Sequence, residues 1–127
     1  HRYGYTMSDL KTGANGFTAT LTKSAPPSVY GGDIPTLSLT VTFETDTRVH
    51  MKITDASAPR YEVPIDMPVV SGTPPSSSDS MDYTVTTTSN PFGLSIVRKS
   101  TGAVRWHKAP RSCVLVCLFV SLFVCVF

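Results

Sequence analysis

Phe17, Ala19 and Leu21 alternate with Thr18, Thr20 and Thr22. The same period returns in Leu37, Leu39, Val41 and Phe43, set against Ser38, Thr40, Thr42 and Glu44. It returns again in Val49, Met51 and Ile53, set against His50, Lys52 and Thr54. Successive side chains of an extended chain point to opposite faces, so this pattern puts apolar groups on one face and threonines or charges on the other. Half-buried antiparallel strands read this way, and threonine-rich outer faces suit strand propensity. Residues 45–48 make a hairpin connection between the second and third runs. Further strands are expected at 83–88, 94–98 and 103–106, with a short one at 60–63 before Pro64. No helical period is sustained through residue 104. A lone hairpin cannot bury these faces, whereas two facing sheets can. The expected class is all-β: about six strands in an antiparallel sandwich.

The joints follow from proline, glycine and serine. "KSAPPSVYGGDIP" at 23–35 reads as a long loop between the first two strands, and "DASAPR" at 55–60 as a turn. "PVVSGTPPSSSDSMD" at 68–82 reads as a solvated, linker-like excursion. "NPFGLSIVRKSTGAVRWHK" at 90–108 opens on a turn dipeptide, runs into a strand, turns at Thr101-Gly102 and starts another. No internal repeat is present. The expected organisation is one β-sandwich over 1–108 and a divergent apolar tail over 109–127.

Length and charge narrow the function. A chain of 127 residues has room for one domain with a modest core. Residues 1–104 carry eight Lys or Arg against nine Asp or Glu, and Arg105, Lys108 and Arg111 supply the surplus behind the net +2. No basic stripe with interleaved aromatics occurs, so nucleic-acid binding has no support. Cys113, Cys117 and Cys125 all lie in the tail, without C-x-x-C spacing or a histidine cluster, which argues against a disulfide framework or a zinc site. The chain begins with His1 and shows no signal peptide, and the expectation is a fragment or a processed product.

Candidate chemistry is sparse. Asp9, Asp46, Asp55, Asp79 and Asp82 fall in turns or linkers, where solvation or an Asx-turn is the expected role. Asp33 follows Gly31-Gly32 in the long loop, where a turn role is favoured over reaching a ligand. His1, His50 and His107 are scattered, with His50 on the outward face of its strand. No G-x-S-x-G elbow surrounds a serine, and Gly31-Gly32 lacks the Lys or helix start of a phosphate loop. Tyr30 and Trp106 have rings that stack on sugars, although burial is as good a reading for Tyr30 and a better one for Trp106. The residues alone give an all-β domain with no recognisable active site.

Several blocks nonetheless resemble one family. "NGFTATLT" at 15–22, "YGGDIPTLSLTVTFETDTRVHMKITDA" at 30–56, "RYEVP" at 60–64 and "NPFGLSIVRKSTGAV" at 90–104 occur in family order. Together they resemble the N-terminal β-sandwich, of galactose mutarotase-like fold, of glycoside hydrolase family 31. The similarity is to its α-glucosidase branch, the lysosomal and maltase- and sucrase-type enzymes. The resemblance implies a maltase-like hydrolase acting on terminal α-linked glucose when complete, with a catalytic (β/α)₈ barrel after the sandwich. Such a barrel takes roughly 200 residues or more. The family nucleophile lies in a motif resembling W-x-D-M-N-E. Asp66-Met67 has no Trp two residues before it and no Asn-Glu after it, and reads as linker coincidence. The loop that the family's sandwich sends toward the sugar pocket would come after residue 104. No catalytic, cofactor-binding or metal-binding residue carries over, and no cofactor is expected. What remains is a non-catalytic, structural piece that braces the barrel and shapes the sugar pocket, inactive by itself. The alternative is a stand-alone carbohydrate-binding or protein-interaction module. Family resemblance implies a secreted, lysosomal or cell-surface location and an α-glucoside as the substrate of the intact enzyme.

The family pattern breaks at Arg105, and from Ala109 onward no resemblance remains. "CVLVCLFVSLFVCVF" at 113–127 has one polar residue, Ser121. Fifteen helical residues reach roughly 22 Å, short of a ~30 Å hydrocarbon core. The run admits three readings: a membrane anchor, a buried terminal strand or helix, or translated non-coding sequence. The abrupt loss of pattern favours the last. The flanking Arg105, Lys108 and Arg111 argue against an anchor for an exported domain.

Overall fold

The computed structural model describes residues 4–24, 31–62, 64, 72–108 and 124–126, with the side chains of 105–108 and 124–126 outside that description. Its elements are all strands: β1 (Tyr5–Gly13), β2 (Gly16–Lys23), β3 (Thr36–Thr45), β4 (Arg48–Asp55), β5 (Tyr83–Ser89), β6 (Phe92–Arg98), β7 (Val104–Lys108) and β8 (Val124–Val126). They form a five-stranded sheet in the order β1-β2-β3-β4-β8 and a three-stranded sheet in the order β5-β6-β7. Every pairing is antiparallel. The all-β, sandwich-like class expected from alternation is the class observed.

Register converts that alternation into a core. Leu21 sits opposite Leu37, Ala19 opposite Leu39, and Val41 opposite Met51, so the apolar positions of β2, β3 and β4 fall side by side on one face. Phe92, Leu94 and Ile96 of β6 bury the matching face of the second sheet. Leu21, Leu39, Met51, Leu94 and Ile96 are fully buried. Each such side chain contributes about 1.5–3 kcal/mol on leaving water, which is why register is strongly specified here. A slip of one residue would turn the threonine face inward.

Three features depart from the sequence reading. β1 was not expected. Only Met7 of its nine residues is buried, and a bulge interrupts its pairing with β2 between Ser8 and Lys11, so it carries no clean alternation. Asp9 occupies that bulge with φ +51, a conformation an aspartate tolerates better than most residues. The short strand expected at 60–63 does not form at residues 60–62, and Val63 lies outside the described residues. There Arg60 is drawn to Asp55 and Glu62 to Lys52, which folds the segment back over β4 as a charged return. In the tail, Val124–Val126 pairs with Val49–Met51 of β4, so the terminal-strand reading describes those three residues, while 109–123 lie outside the described residues.

The turns behave as their residues dictate. The β3–β4 hairpin turns within 45–48, with a bulge between Phe43 and Thr45. β5 and β6 are joined through Asn90-Pro91, whose peptide bond is cis. β6 and β7 are joined through a turn that places Gly102 at φ +67.

Gly16 is the tightest backbone position. Its φ is +147, and a Cβ there would stand 1.9 Å from the carbonyl oxygen of Val41 on the neighbouring strand. Both atoms are backbone, so neither can yield without opening the β2–β3 pairing. Gly16→Ala should cost about 3 kcal/mol or more, through overpacking and strain together. At Gly102 no atom lies within 4 Å of the added Cβ. Gly102→Ala should cost only the left-handed penalty of about 1–2 kcal/mol. Urea unfolding of the two variants at matched slope tests the ranking, and equal losses would contradict it.

Candidate functional site

Two places gather polar side chains: the corner where the sheets meet and the outer face of β3 and β4. At the corner, the Phe43 and Tyr83 rings lie 6.0 Å apart at 51°, and Phe17 meets Phe43 edge-on at 6.4 Å. The Tyr83 hydroxyl, on the first residue of β5, reaches the carbonyls of Thr45 and Arg48, each at 3.2 Å. One phenolic proton serves both. The Asp82 amide donates to the Asp46 carbonyl at 2.7 Å, and the Ser80 hydroxyl donates to the Asp46 carboxylate at 3.1 Å. The Asp82 carboxylate accepts from the amide (2.9 Å) and hydroxyl (2.8 Å) of Ser100, with Arg98 at 3.5 Å. The start of β5, the β3–β4 hairpin and the β6–β7 turn are thereby tied into one junction.

The bulge at Glu44 turns its carboxylate toward the outward side chains of β4. Arg48 Nε lies 2.8 Å from one oxygen and His50 Nδ1 3.4 Å from the other. Arg48 and His50 share a face because they are two apart on one strand. Sequence reading left this trio unassembled. The hint was a Glu and an Arg flanking a four-residue hairpin, but the bulge that aligns them is invisible in one strand alone.

The other candidates fall as follows. Asp55 forms the expected Asx-turn, accepting from the Ser57 amide at 2.9 Å, and it also holds Arg60 at 3.0 Å. Asp33 differs from expectation. It is half-buried, with 6% of its side chain exposed, and pairs with Lys23, while its neighbour Ile34 enters the core. A solvated turn carboxylate would not lose its water in this way; the ammonium of Lys23 replaces it. Asp82 likewise bonds across the fold to Ser100 and Arg98 rather than within its own turn. Asp9 accepts a long contact from the Ser8 hydroxyl at 3.4 Å, and Asp79 is exposed in a turn. Tyr30, Asp66, His1, Cys113 and Cys117 lie outside the described residues, as do the side chains of Trp106, His107 and Cys125.

An open groove of about 440 Å³ crosses the ends of β1, β2 and β3, between Lys11, Asn15, Phe17, Thr40 and Thr42. Its lining offers an ammonium, a carboxamide, hydroxyls and one ring, and no carboxylate. Among the described residues no group of three His, Cys, Asp or Glu is placed to hold a metal ion, and no helix is long and apolar enough to cross a membrane. The arrangement can offer hydrogen bonds to a polar ligand. Glycoside hydrolysis needs a pair of carboxyl groups across a sugar, and this groove supplies none.

Fold and site together define an all-β domain in which five of the described acids are tied to basic side chains. Comparison with known proteins places it more closely. No protein-family model matches the chain. It is 40% identical over 100 residues to mouse lysosomal alpha-glucosidase, a match covering 79% of this chain and 10% of that protein. It is 37% identical over 100 residues to human intestinal sucrase-isomaltase, covering 79% of this chain and 5% of that protein. It is 36% identical over 104 residues to human probable maltase-glucoamylase 2, covering 80% of this chain and 4% of that protein. Over that stretch the chain belongs to the α-glucosidases of glycoside hydrolase family 31. It spans a tenth or less of the length of these relatives.

Titration tests the corner. Burial, with the charges of Asp46 and Glu44 adding to it, pushes the Tyr83 hydroxyl up to about 12 from 10.0. The raised value means that the fold favours the protonated phenol. Its contribution is complete below pH 10 and is lost as pH rises through 12. Tyr83→Phe should lower stability at neutral pH by about 1 kcal/mol and flatten the alkaline limb of the stability curve. Unfolding free energies from neutral to alkaline pH, for both proteins, check it; identical alkaline limbs would refute the assignment. At the acid end, the Ser57 hydroxyl foremost, then the Ser57 amide and Arg60, hold Asp55 down at about 2 from 3.8. Its contribution is therefore present above pH 3.8 and is lost as pH falls through 2. Asp55→Asn should remove that acid dependence, read by the same unfolding series.

Proposed function

We propose that the chain is a non-catalytic, supporting β-sandwich of a family-31 α-glucosidase. In this reading it braces the catalytic barrel and helps to shape a pocket for terminal α-linked glucose. The observation that carries it is the use made of the acids. Asp33 pairs with Lys23, Glu44 with Arg48 and His50, Asp55 with Arg60, and Glu62 with Lys52, while Asp82 holds Arg98 and Ser100. A glycosidase keeps two carboxyl groups facing its substrate; here these groups face their own strands and turns. We assign no catalytic, cofactor-binding or metal-binding residue. The division into a sandwich over 1–108 and a tail over 109–127 belongs to the same proposal. So does a lysosomal, secreted or cell-surface location, which rests on relatives named lysosomal and intestinal.

Two measurements test this. The purified chain should hydrolyse neither maltose nor an aryl α-glucoside, and titration with maltose should give no saturable heat. Turnover that tracks the pure protein and is lost on Asp66→Asn would overturn the non-catalytic reading. A saturable heat would instead favour a sugar-binding module seated in the groove beside Phe17. In the second test, this chain's homologous residues replace the corresponding 100 residues of mouse lysosomal alpha-glucosidase. The chimera should fold and retain hydrolysis. A chimera that folds but has lost substrate affinity and turnover would sink the bracing role.

A further inference from the structure

The loop before β5 presents hydroxyl groups that the fold leaves unused. Thr73, Ser76, Ser77 and Ser78 are all exposed, and Thr73, Pro74 and Pro75 belong to no regular element. Proline fixes its own φ and pushes the residue before it toward extended backbone, so Thr73 and Pro74 are held open rather than coiled. The loop is nonetheless anchored at both ends. Gly72 lies so close to Thr45 that a Cβ there would stand 2.6 Å from the Thr45 methyl group. Beyond the serines, Lys99 Nζ donates to the Ser78 carbonyl at 2.7 Å and the Asp82 amide donates to the Asp46 carbonyl at 2.7 Å.

Several hydroxyls in and around the other turns, by contrast, are engaged. Ser24 donates to the Gly4 carbonyl, Ser57 to Asp55 and Ser100 to Asp82, and at the end of this loop the single hydroxyl proton of Ser80 serves the Asp46 carboxylate and the Ser77 carbonyl. Thr101 accepts from the Ala103 amide. Strand threonines are locked in ladders by their backbones. The hydroxyls of Thr73, Ser76, Ser77 and Ser78 make no hydrogen bond to a described residue. A run of free hydroxyls beside paired prolines is the composition of O-glycosylated segments.

We propose that Thr73, Ser76, Ser77 and Ser78 are acceptors for O-linked N-acetylhexosamine, which makes the loop a modification site. The step is a glycosyl transfer. An acceptor oxygen attacks the anomeric carbon of a nucleotide-activated sugar and forms a C–O bond. The bond from that carbon to the diphosphate breaks, a nucleoside diphosphate leaves, and the hydroxyl proton passes to the transferase. Phosphate is the weaker alternative, because its charge would lie beside Asp79 and near Asp46 and Asp82, which outnumber Lys99. The proposal rests on the lysosomal, secreted or cell-surface reading for its occurrence in cells. It also implies that this corner faces solvent, away from any barrel.

The test separates site from compartment. The purified full chain is incubated with a polypeptide N-acetylgalactosaminyltransferase and UDP-N-acetylgalactosamine, and the modified residues are mapped by electron-transfer fragmentation. Sugar should appear on Thr73 and the three serines, and not on Ser57, Ser80 or Ser100. The combined Thr73→Ala, Ser76→Ala, Ser77→Ala and Ser78→Ala variant should fold and take none, because exposed substitutions of this kind change stability within about 0.5 kcal/mol. No transfer, or transfer only elsewhere, would overturn the site. In parallel, the chain is exported from animal cells behind a leader and its loop peptide is weighed. Sugar on the loop supports the proposal in cells, and phosphate there overturns it. If the unaltered chain recovered from cells stays bare while the exported one is glycosylated, the compartment reading fails and the site stands.

Discussion

Beyond their shared apolar core, the two sheets are tied at one corner by Tyr83 against the β3–β4 hairpin. Its ring packs on Phe43, and its hydroxyl is held by the carbonyls of Thr45 and Arg48. Those carbonyls belong to the two residues that close the hairpin beside its bulge, and a half-buried carbonyl gains from a partner. The phenol therefore does two things that no aliphatic residue could. It fills the space between the sheets, and it completes the hydrogen bonding of the hairpin that it packs on. The groups around it, Asp46, Ser80, Asp82 and Ser100, extend the same junction to the surface.

Charge is placed with the same economy. The acids Asp33, Glu44, Asp55, Glu62 and Asp82 each meet a basic side chain, at turns or on the outer strand face. The more exposed of these pairs, Lys52 with Glu62 and Arg98 with Asp82, contribute little stability each. Their value lies in geometry. Asp55 with Arg60 and Lys52 with Glu62 fold a charged return against β4 beyond the three residues that pair with β8. These contacts commit the acids to the strands and turns that carry them.

The groove at β1–β3 shows the same division of labour. It forms because Gly16 lets two backbones approach closely, and its floor is threonine hydroxyl and the Phe17 ring. Nothing in it has the acid–base chemistry of glycosidic bond cleavage.

Alternation in residues 17–22, 37–44 and 49–54 was enough to determine strands, their inward faces and the all-β class, because a buried sheet face imposes a period of two on any chain that folds this way. Ordered motif blocks such as "RYEVP" and "NPFGLSIVRKSTGAV" were enough for the family. The rest required three dimensions. β1 was hidden because an edge strand with one buried residue and a bulge needs no alternation. The half-buried Asp33–Lys23 pair was hidden because its cost and compensation come from residues ten apart in sequence that meet only when β2 and the following loop close together. Glu44, Arg48 and His50 became a cluster only through a bulge, and Tyr83 became a tie only when the second sheet settled on the first. Local pattern determines which face of a strand is buried; which distant polar group will be waiting there is decided by how the sheets pack.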